Sequence, residues 1–240
     1  MYHLFDLPFE TLINITEFLS TKDILNLSIC SKHFHDILSF VKFIENVNFK
    51  DIFNLSYFDS FTCVKYCGSG KLFPKSLKIL FWWNNDHLPS LFPHSLKILY
   101  LGYYHNQPLP QLPDSLKSLY LGFNYNHPLT QLPDWLESLH LGYYYNQPLP
   151  QLPYSLKSLH LSDLYNHPLP QFPNSLKRLH LGSNYNHPLP RLPDSLKRLH
   201  LGSNYNPPLP LLPNSLRFLK VWRRFQLPTL SSSISLEFFN

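Results

Sequence analysis

The chain has 240 residues, 44% of them hydrophobic and 15% charged, with 23 prolines, 7 glycines, 3 cysteines and a formal charge of +5. That apolar share supplies a core for one or two domains, and so many prolines against so few glycines exclude a flexible low-complexity chain. Three cysteines exclude a disulfide framework, and the lack of an apolar run of about 18 residues excludes a membrane-spanning helix.

The first 40 residues read as three short helices. Leu7-Pro8 opens the first, with Leu12, Ile15, Phe18 and Leu19 at helical spacing; Pro8 suits a first helical turn and Glu10 the positive end of the helix dipole. Ser20-Thr21-Lys22-Asp23 is a break followed by a fresh cap, ahead of Ile24, Leu25, Leu27 and Ile29. Ser31 caps a third helix carrying Phe34, Ile37 and Leu38. A unit this small is marginal alone and needs a partner. The opening Met1 to Pro8 shows no basic segment before a long apolar core, so no secretory leader is expected and a reducing, intracellular and cytoplasmic setting fits.

Residues 41–76 form a junction and a degenerate first coil. Phe58-x-x-Phe61-x-Cys63 matches Leu77-x-x-Leu80-x-Trp82 at a step of 19 residues, which sets the expected phase.

From 77 to 221 the sequence repeats with a period of 20. Leu116, Leu119 and Leu121 return as Leu136, Leu139 and Leu141, and so on to Leu196, Leu199 and Leu201; Pro113 returns at every step to Pro213. Such a period marks a solenoid. Leu119-x-Leu121 alternates as a strand, and L-x-x-L-x-L-x-x-N from Leu116 to Asn124 is the leucine-rich-repeat pattern. Pro128 and Pro133 forbid a helix in the rest of the coil, which is expected to run extended on the outer face. The expected fold is therefore α+β, a three-helix unit followed by a right-handed, leucine-rich-repeat-like solenoid with a parallel sheet and about 20 residues per coil. Residues 222–240 read as a C-terminal cap.

Charge is uneven. Residues 1–60 carry four lysines and eight acids, whereas residues 171–225 carry nine basic residues and one acid, Asp194. The basic half favours acidic partners.

No catalytic residue is expected, because every His, Asp and Ser in the middle of the chain recurs at a fixed phase, the mark of structural or surface columns. Cys63-x-x-x-Cys67 lacks a second pair, so neither a metal site nor a cofactor is assigned. The recurring glycines, Gly122 among them, imply close packing or an open surface. The Asn column from Asn106 to Asn206 is expected to form an internal hydrogen-bond ladder. Two outward columns line the strand face turned from the core: Phe81, Tyr100, Tyr120, His140, His160, His180, His200 and Lys220, and Ile79, Ile98, Ser118, Ser138, Ser158, Arg178, Arg198 and Phe218. Tyr100, Tyr120, His140, His160, His180, His200, Arg178 and Arg198 are the candidate protein-binding residues. Mutual repulsion is expected to hold the histidine pKa values down.

Two families are resembled. Leu7, Pro8, Leu12, Ile15, Leu19, Asp23, Ile24, Leu25, Leu27, Ser28, Cys30, Lys32 and Phe34 fall in the order and spacing of an F-box, with Phe34 where Trp is frequent and Ser31 inside the cysteine–lysine pair. Tyr125-Asn126-His127-Pro128-Leu129, with the preceding S-L-K-x-L-x-L-G, resembles the FNIP repeat, Tyr standing for the family's Phe. An F-box ahead of FNIP repeats is known in amoeboid protists and their large DNA viruses; a viral chain would act in the host cytoplasm. Leu149-Pro150-Gln151-Leu152-Pro153 is also similar to the short leucine-rich repeats of bacterial secreted effectors, but no cysteine follows Cys67, which rules out their catalytic cysteine domain.

The F-box resemblance implies a substrate-recognition adaptor of an SCF-type cullin–RING ubiquitin ligase. Leu7, Pro8, Leu12, Ile15, Leu19, Ile24 and Leu25 would meet a Skp-type adaptor, and through it cullin, while the solenoid holds a protein substrate of acidic character. Two other classes stay open: a stand-alone interaction or decoy protein, and, ranked below it, a basic nucleic-acid scaffold using Arg178, Arg198, Arg223 and Arg224.

Overall fold

The structure is a computed structural model that describes residues 23, 47–48, 54, 58–66, 73–83, 88–227 and 234–239. The three expected N-terminal helices, with Leu7, Pro8, Leu12, Ile15, Leu19, Ile24 and Leu25, lie outside the described residues.

One 11-stranded sheet runs through the molecule in strict chain order. Its strands are β1 (Val47–Asn48), β2 (Cys63–Tyr66), β3 (Ile79–Trp82), β4 (Ile98–Leu101), β5 (Ser118–Tyr120), β6 (Ser138–His140), β7 (Ser158–His160), β8 (Arg178–His180), β9 (Arg198–His200), β10 (Phe218–Trp222) and β11 (Ser235–Phe239). Every neighbouring pair is parallel. From β5 to β9 the partners are 20 residues apart, as in Leu119 with Leu139 and Leu139 with Leu159. The strands are short because only Leu119 of Ser118-Leu119-Tyr120 turns to the core, while its neighbours stay part-exposed.

Each coil contributes six inward side chains. In the coil from Leu116 these are Leu116, Leu119, Leu121, Tyr125, Leu129 and Leu132, all buried. Full burial of one such leucine stabilises by about 1.5–3 kcal/mol, and the next coil extends the same core. The tyrosines are the unexpected members. Tyr125, Tyr145, Tyr165 and Tyr185 are fully buried and stack on one another at 6.2–6.3 Å between ring centres. Their hydroxyls are buried without a hydrogen bond of normal geometry. Burial pushes the Tyr125 and Tyr165 hydroxyls up to about 12, with the backbone of Leu109 and Leu149 in the preceding coils acting the other way.

Two turns close each coil. Leu116 N–H donates to Pro113 C=O at 3.0 Å, and Tyr125 N–H to Gly122 C=O at 3.1 Å. Proline suits the first turn because the turn uses its carbonyl and not the N–H it lacks. Between Gly122 and Pro133 there is neither helix nor strand, as the prolines require.

Coils are tied by polar ladders as well as by the sheet. The Oδ1 atoms of Asn106, Asn126, Asn146, Asn166 and Asn186 each accept the backbone N–H of the asparagine one coil later, at 2.8–3.1 Å. The ladder exists, but it runs along an exposed edge and not inside, because the buried position next to it belongs to tyrosine. Ser115, Ser155, Ser175, Ser195 and Ser215 donate Oγ–H to a leucine carbonyl of the preceding coil at 2.6–2.8 Å.

Glycine recurs because backbone meets backbone. A Cβ on Gly142 would lie 1.8 Å from the Gly122 carbonyl oxygen. Where Ser162 replaces glycine, the next inter-coil bond, Leu164 N–H to Tyr143 C=O, lengthens to 3.4 Å against 3.0 Å one coil earlier, and Ser162 Oγ–H donates to Tyr145 C=O at 2.6 Å.

The first coil has a different phase from that expected. Cys63 pairs with Ile79 and Val64 with Leu80, a step of 16 residues and not 19. Phe61 therefore fills the place of Leu77, and Val64, not Phe61, is the strand's core residue. Both are fully buried. The Thr62 carbonyl accepts Lys78 and Ile79 N–H as the Lys78 carbonyl accepts Lys97 and Ile98. The bulk of Phe61 lets a shorter coil fill the core. At the other end β11 lies on β10, with Leu236 opposite Leu219.

Candidate protein-binding surface

The register places the two outward columns as expected. Tyr120, His140, His160, His180 and His200 lie directly opposite one another on β5 to β9, and Ser158, Arg178 and Arg198 two residues earlier on the same face. Adjacent parallel strands lie about 4.8 Å apart, so side chains of one column meet ring to ring.

Phe81, Tyr100 and Tyr120 form a continuous stack with centres 4.6 and 4.3 Å apart, and Tyr120 lies 4.4 Å from His140. The histidines follow at 5.4, 3.9 and 3.9 Å up to His200. Nδ1 of His200 sits 2.8 Å from Nδ1 of His180, so one of the two nitrogens carries the proton and the other accepts it. His140 Nε2 is 3.1 Å from Ser138 Oγ. The face thus runs from aromatic at β3–β5 to imidazole and guanidinium at β6–β9.

Over β6 to β9 the face encloses a groove of about 470 Å³, lined by His140, His160, His180, His200, Arg178 and Arg198 among others. The imidazoles are held in their neutral form. Burial brings His140 down to about 4, helped by His160 and Arg178, and His200 to about 4, helped by Lys220 and His160 while Glu237 opposes. His180 falls to about 3, from burial first and then His160 and His200, with Lys220 adding and Asp163 opposing. His160 is lowered by burial, again against Asp163. The direction agrees with the sequence expectation, but desolvation is the larger cause and repulsion the smaller.

A second exposed surface has no counterpart in the sequence reading. Tyr103, Phe123 and Tyr143 stack at 4.5 and 4.8 Å beside Tyr104 and Tyr144, which meet them edge to face. Aromatics recurring at one phase after the glycine were the available signal. Among the described residues no cluster of three or more His, Cys, Asp or Glu could hold a metal ion, and no helix is long and apolar enough to cross a membrane. Cys63, half of the Cys63–Cys67 spacing, is a buried free thiol whose pKa burial raises.

A parallel sheet with an open, side-chain-lined face on stacked 20-residue coils defines a leucine-rich-repeat-like solenoid, a class that binds proteins. The FNIP Repeat model matches residues 83–124, 125–164, 165–191 and 185–221, and the F-box domain model residues 4–46. The chain belongs to the FNIP-repeat family and carries an F-box domain ahead of its repeats. F-box and repeat-solenoid families are typically non-enzymatic adaptors. Among solved structures the chain is similar to YopM from Yersinia enterocolitica WA-314, with 25% identity and a TM-score of 0.56, over 75% of this chain and 42% of that one. It is also similar to CroV588, described as a novel circular LRR protein structure, with 23% identity and a TM-score of 0.50, over 75% of this chain and 37% of that one. The chain thus spans less than half the length of either, and the likeness concerns the fold. No curated protein matches the chain.

Proposed function

We propose that this protein is the substrate-recognition adaptor of an SCF-type cullin–RING ubiquitin ligase and acts inside the cell. Its F-box docks a Skp-type adaptor through Leu7, Pro8, Leu12, Ile15, Leu19, Ile24 and Leu25. Its concave face, with Tyr100, Tyr120, His140, His160, His180, His200, Arg178 and Arg198, holds the target protein. The observation that carries this reading is the joining in one chain of an F-box at residues 4–46 to a solenoid whose strand face is open and chemically graded. Rings that stack along a rigid sheet lose little conformational freedom on binding, which suits a recognition surface. Affinity purification of the full chain from cells should recover a Skp-type adaptor, a cullin and a target, and a reconstituted ligase should ubiquitinate that target only when the chain is present. Recovery of adaptor without ubiquitin transfer to any co-purified protein would favour a stand-alone interaction or decoy role.

A further inference from the structure

The basic end of the groove carries an imbalance that the protein itself does not resolve. Arg178 and Arg198 are direct partners on β8 and β9, about one strand spacing apart, and both are exposed. Like charges directly opposite each other destabilise a sheet. Elsewhere the chain answers its cations: Glu137 takes both Lys117 at 3.3 Å and Lys157 at 2.5 Å, and Lys220 pairs with Glu237. None of the ion pairs among the described residues includes Arg178 or Arg198. No Asp or Glu lines the groove. The one side-chain interaction at this pair is the Arg198 guanidinium over the Phe218 ring at 5.9 Å, which leaves its N–H donors available.

We infer that Arg178 and Arg198, flanked by the His180–His200 pair, form a binding site for a phosphoryl group on a target peptide. This deepens the reading of the concave face as the target-binding surface and rests on it. The spacing selects the ligand. In an extended peptide, side chains on one face recur every second residue, about 6.6 Å apart, and two carboxylates so placed overshoot two guanidiniums about 4.8 Å apart. A single tetrahedral dianion with three acceptor oxygens sits between them and takes charge-assisted hydrogen bonds from both. The imidazoles complete the site. Because Nδ1 of one ring donates to Nδ1 of the other, the neutral pair carries one Nε2–H donor and one bare Nε2. Phe218 and Tyr120 at the groove margins supply apolar contact for flanking residues.

The test uses the folded full chain and fluorescence anisotropy. The probes are a labelled peptide pool with one fixed phosphoserine between randomised positions, the same pool with serine, the same pool with glutamate, and a single-stranded oligonucleotide of matched charge. The phosphoserine pool should bind at least about tenfold more tightly than the serine and glutamate pools, and inorganic phosphate should compete. An Arg178→Ala/Arg198→Ala variant should lose that preference while its melting temperature holds or rises, since a repulsion is removed. Arg178→Lys/Arg198→Lys should keep the charge but lose part of the preference, because an ammonium lacks the guanidinium fork. Arg191→Ala/Arg224→Ala, which removes two charges outside the groove, should leave it unchanged. Equal binding of the phosphoserine and serine pools, equal binding of the glutamate pool, tighter binding of the oligonucleotide, or equal loss in the Arg191/Arg224 variant would each overturn the assignment. These outcomes are independent of the F-box, so failure of adaptor binding and failure of this site are read separately.

Discussion

Acidification should destabilise the solenoid through its histidine column. In the unfolded chain each imidazole protonates near pH 6.5. In the folded chain His140 and His200 resist until about 4 and His180 until about 3, and His160 is displaced in the same direction. Stability attached to these rings is therefore complete above about pH 6.5 and is lost as pH falls from there towards the folded values, because the unfolded chain binds more protons throughout that window. Arg178 acts on His140 and Lys220 on His180 and His200 in the same sense, while Asp163 and Glu237 act against it. From 6.5 to about pH 5 the span is about 1.5 units, or about 2 kcal/mol per ring at about 1.36 kcal/mol per unit. The rings keep contact with water, so about half of this is a fair share after screening, and the three most displaced rings give about 3 kcal/mol together. For a protein of this size the melting temperature should drop by about 6–12 °C. Calorimetric melts at about pH 7.5 and about pH 5 would compare the wild type with a variant in which His140, His160, His180 and His200 are all glutamine. Most of the acid-induced loss should vanish in the variant. An equal loss in both proteins would refute the reasoning and leave the histidines as inert repeats.

Three further outcomes follow from the packing. Gly142→Ala should cost about 3 kcal/mol in chemical denaturation, since the new methyl would strike the Gly122 carbonyl. Tyr165→Phe should be neutral or stabilise by up to about 1 kcal/mol, because its hydroxyl is buried without a partner, whereas Tyr165→Ala should cost about 3–5 kcal/mol. Asn146→Ala should cost only about 1 kcal/mol, since it removes one exposed acceptor from the Asn166 N–H, and amide exchange at Asn166 should rise while the coils beyond stay protected.

Where the period is strict, the sequence carries the fold directly. Leucines three and five residues apart, returning every 20, determine which face is core, and the register of Tyr120, His140 and His160 follows by counting. The first coil is less legible because Phe61-Thr62-Cys63-Val64 offers apolar residues to either phase, and only the Thr62 carbonyl bonded to Lys78 and Ile79 decides it. The tyrosine stack is hidden for another reason. Tyr125 stands between Asn124 and Asn126 in a polar stretch, so no hydrophobic period marks it as core, and assigning the ladder to the interior put asparagine where tyrosine belongs. Of the candidate surface, the columns are legible as positions, but the groove, the neutral imidazoles and the unanswered arginine pair depend on burial and distance. Those quantities appear only once the coils are stacked.

The adaptor reading turns on a contact made by the first helix-forming segment, and direct titration of a purified Skp-type adaptor into the full chain measures it. The wild type should bind in a saturable manner. A Leu7→Ala/Pro8→Ala variant should lose adaptor binding while its melting curve and its solenoid remain unchanged, because these residues supply an apolar edge to the partner and none of the repeat core. Unchanged adaptor affinity in the variant, or no binding by the wild type, would contradict the account.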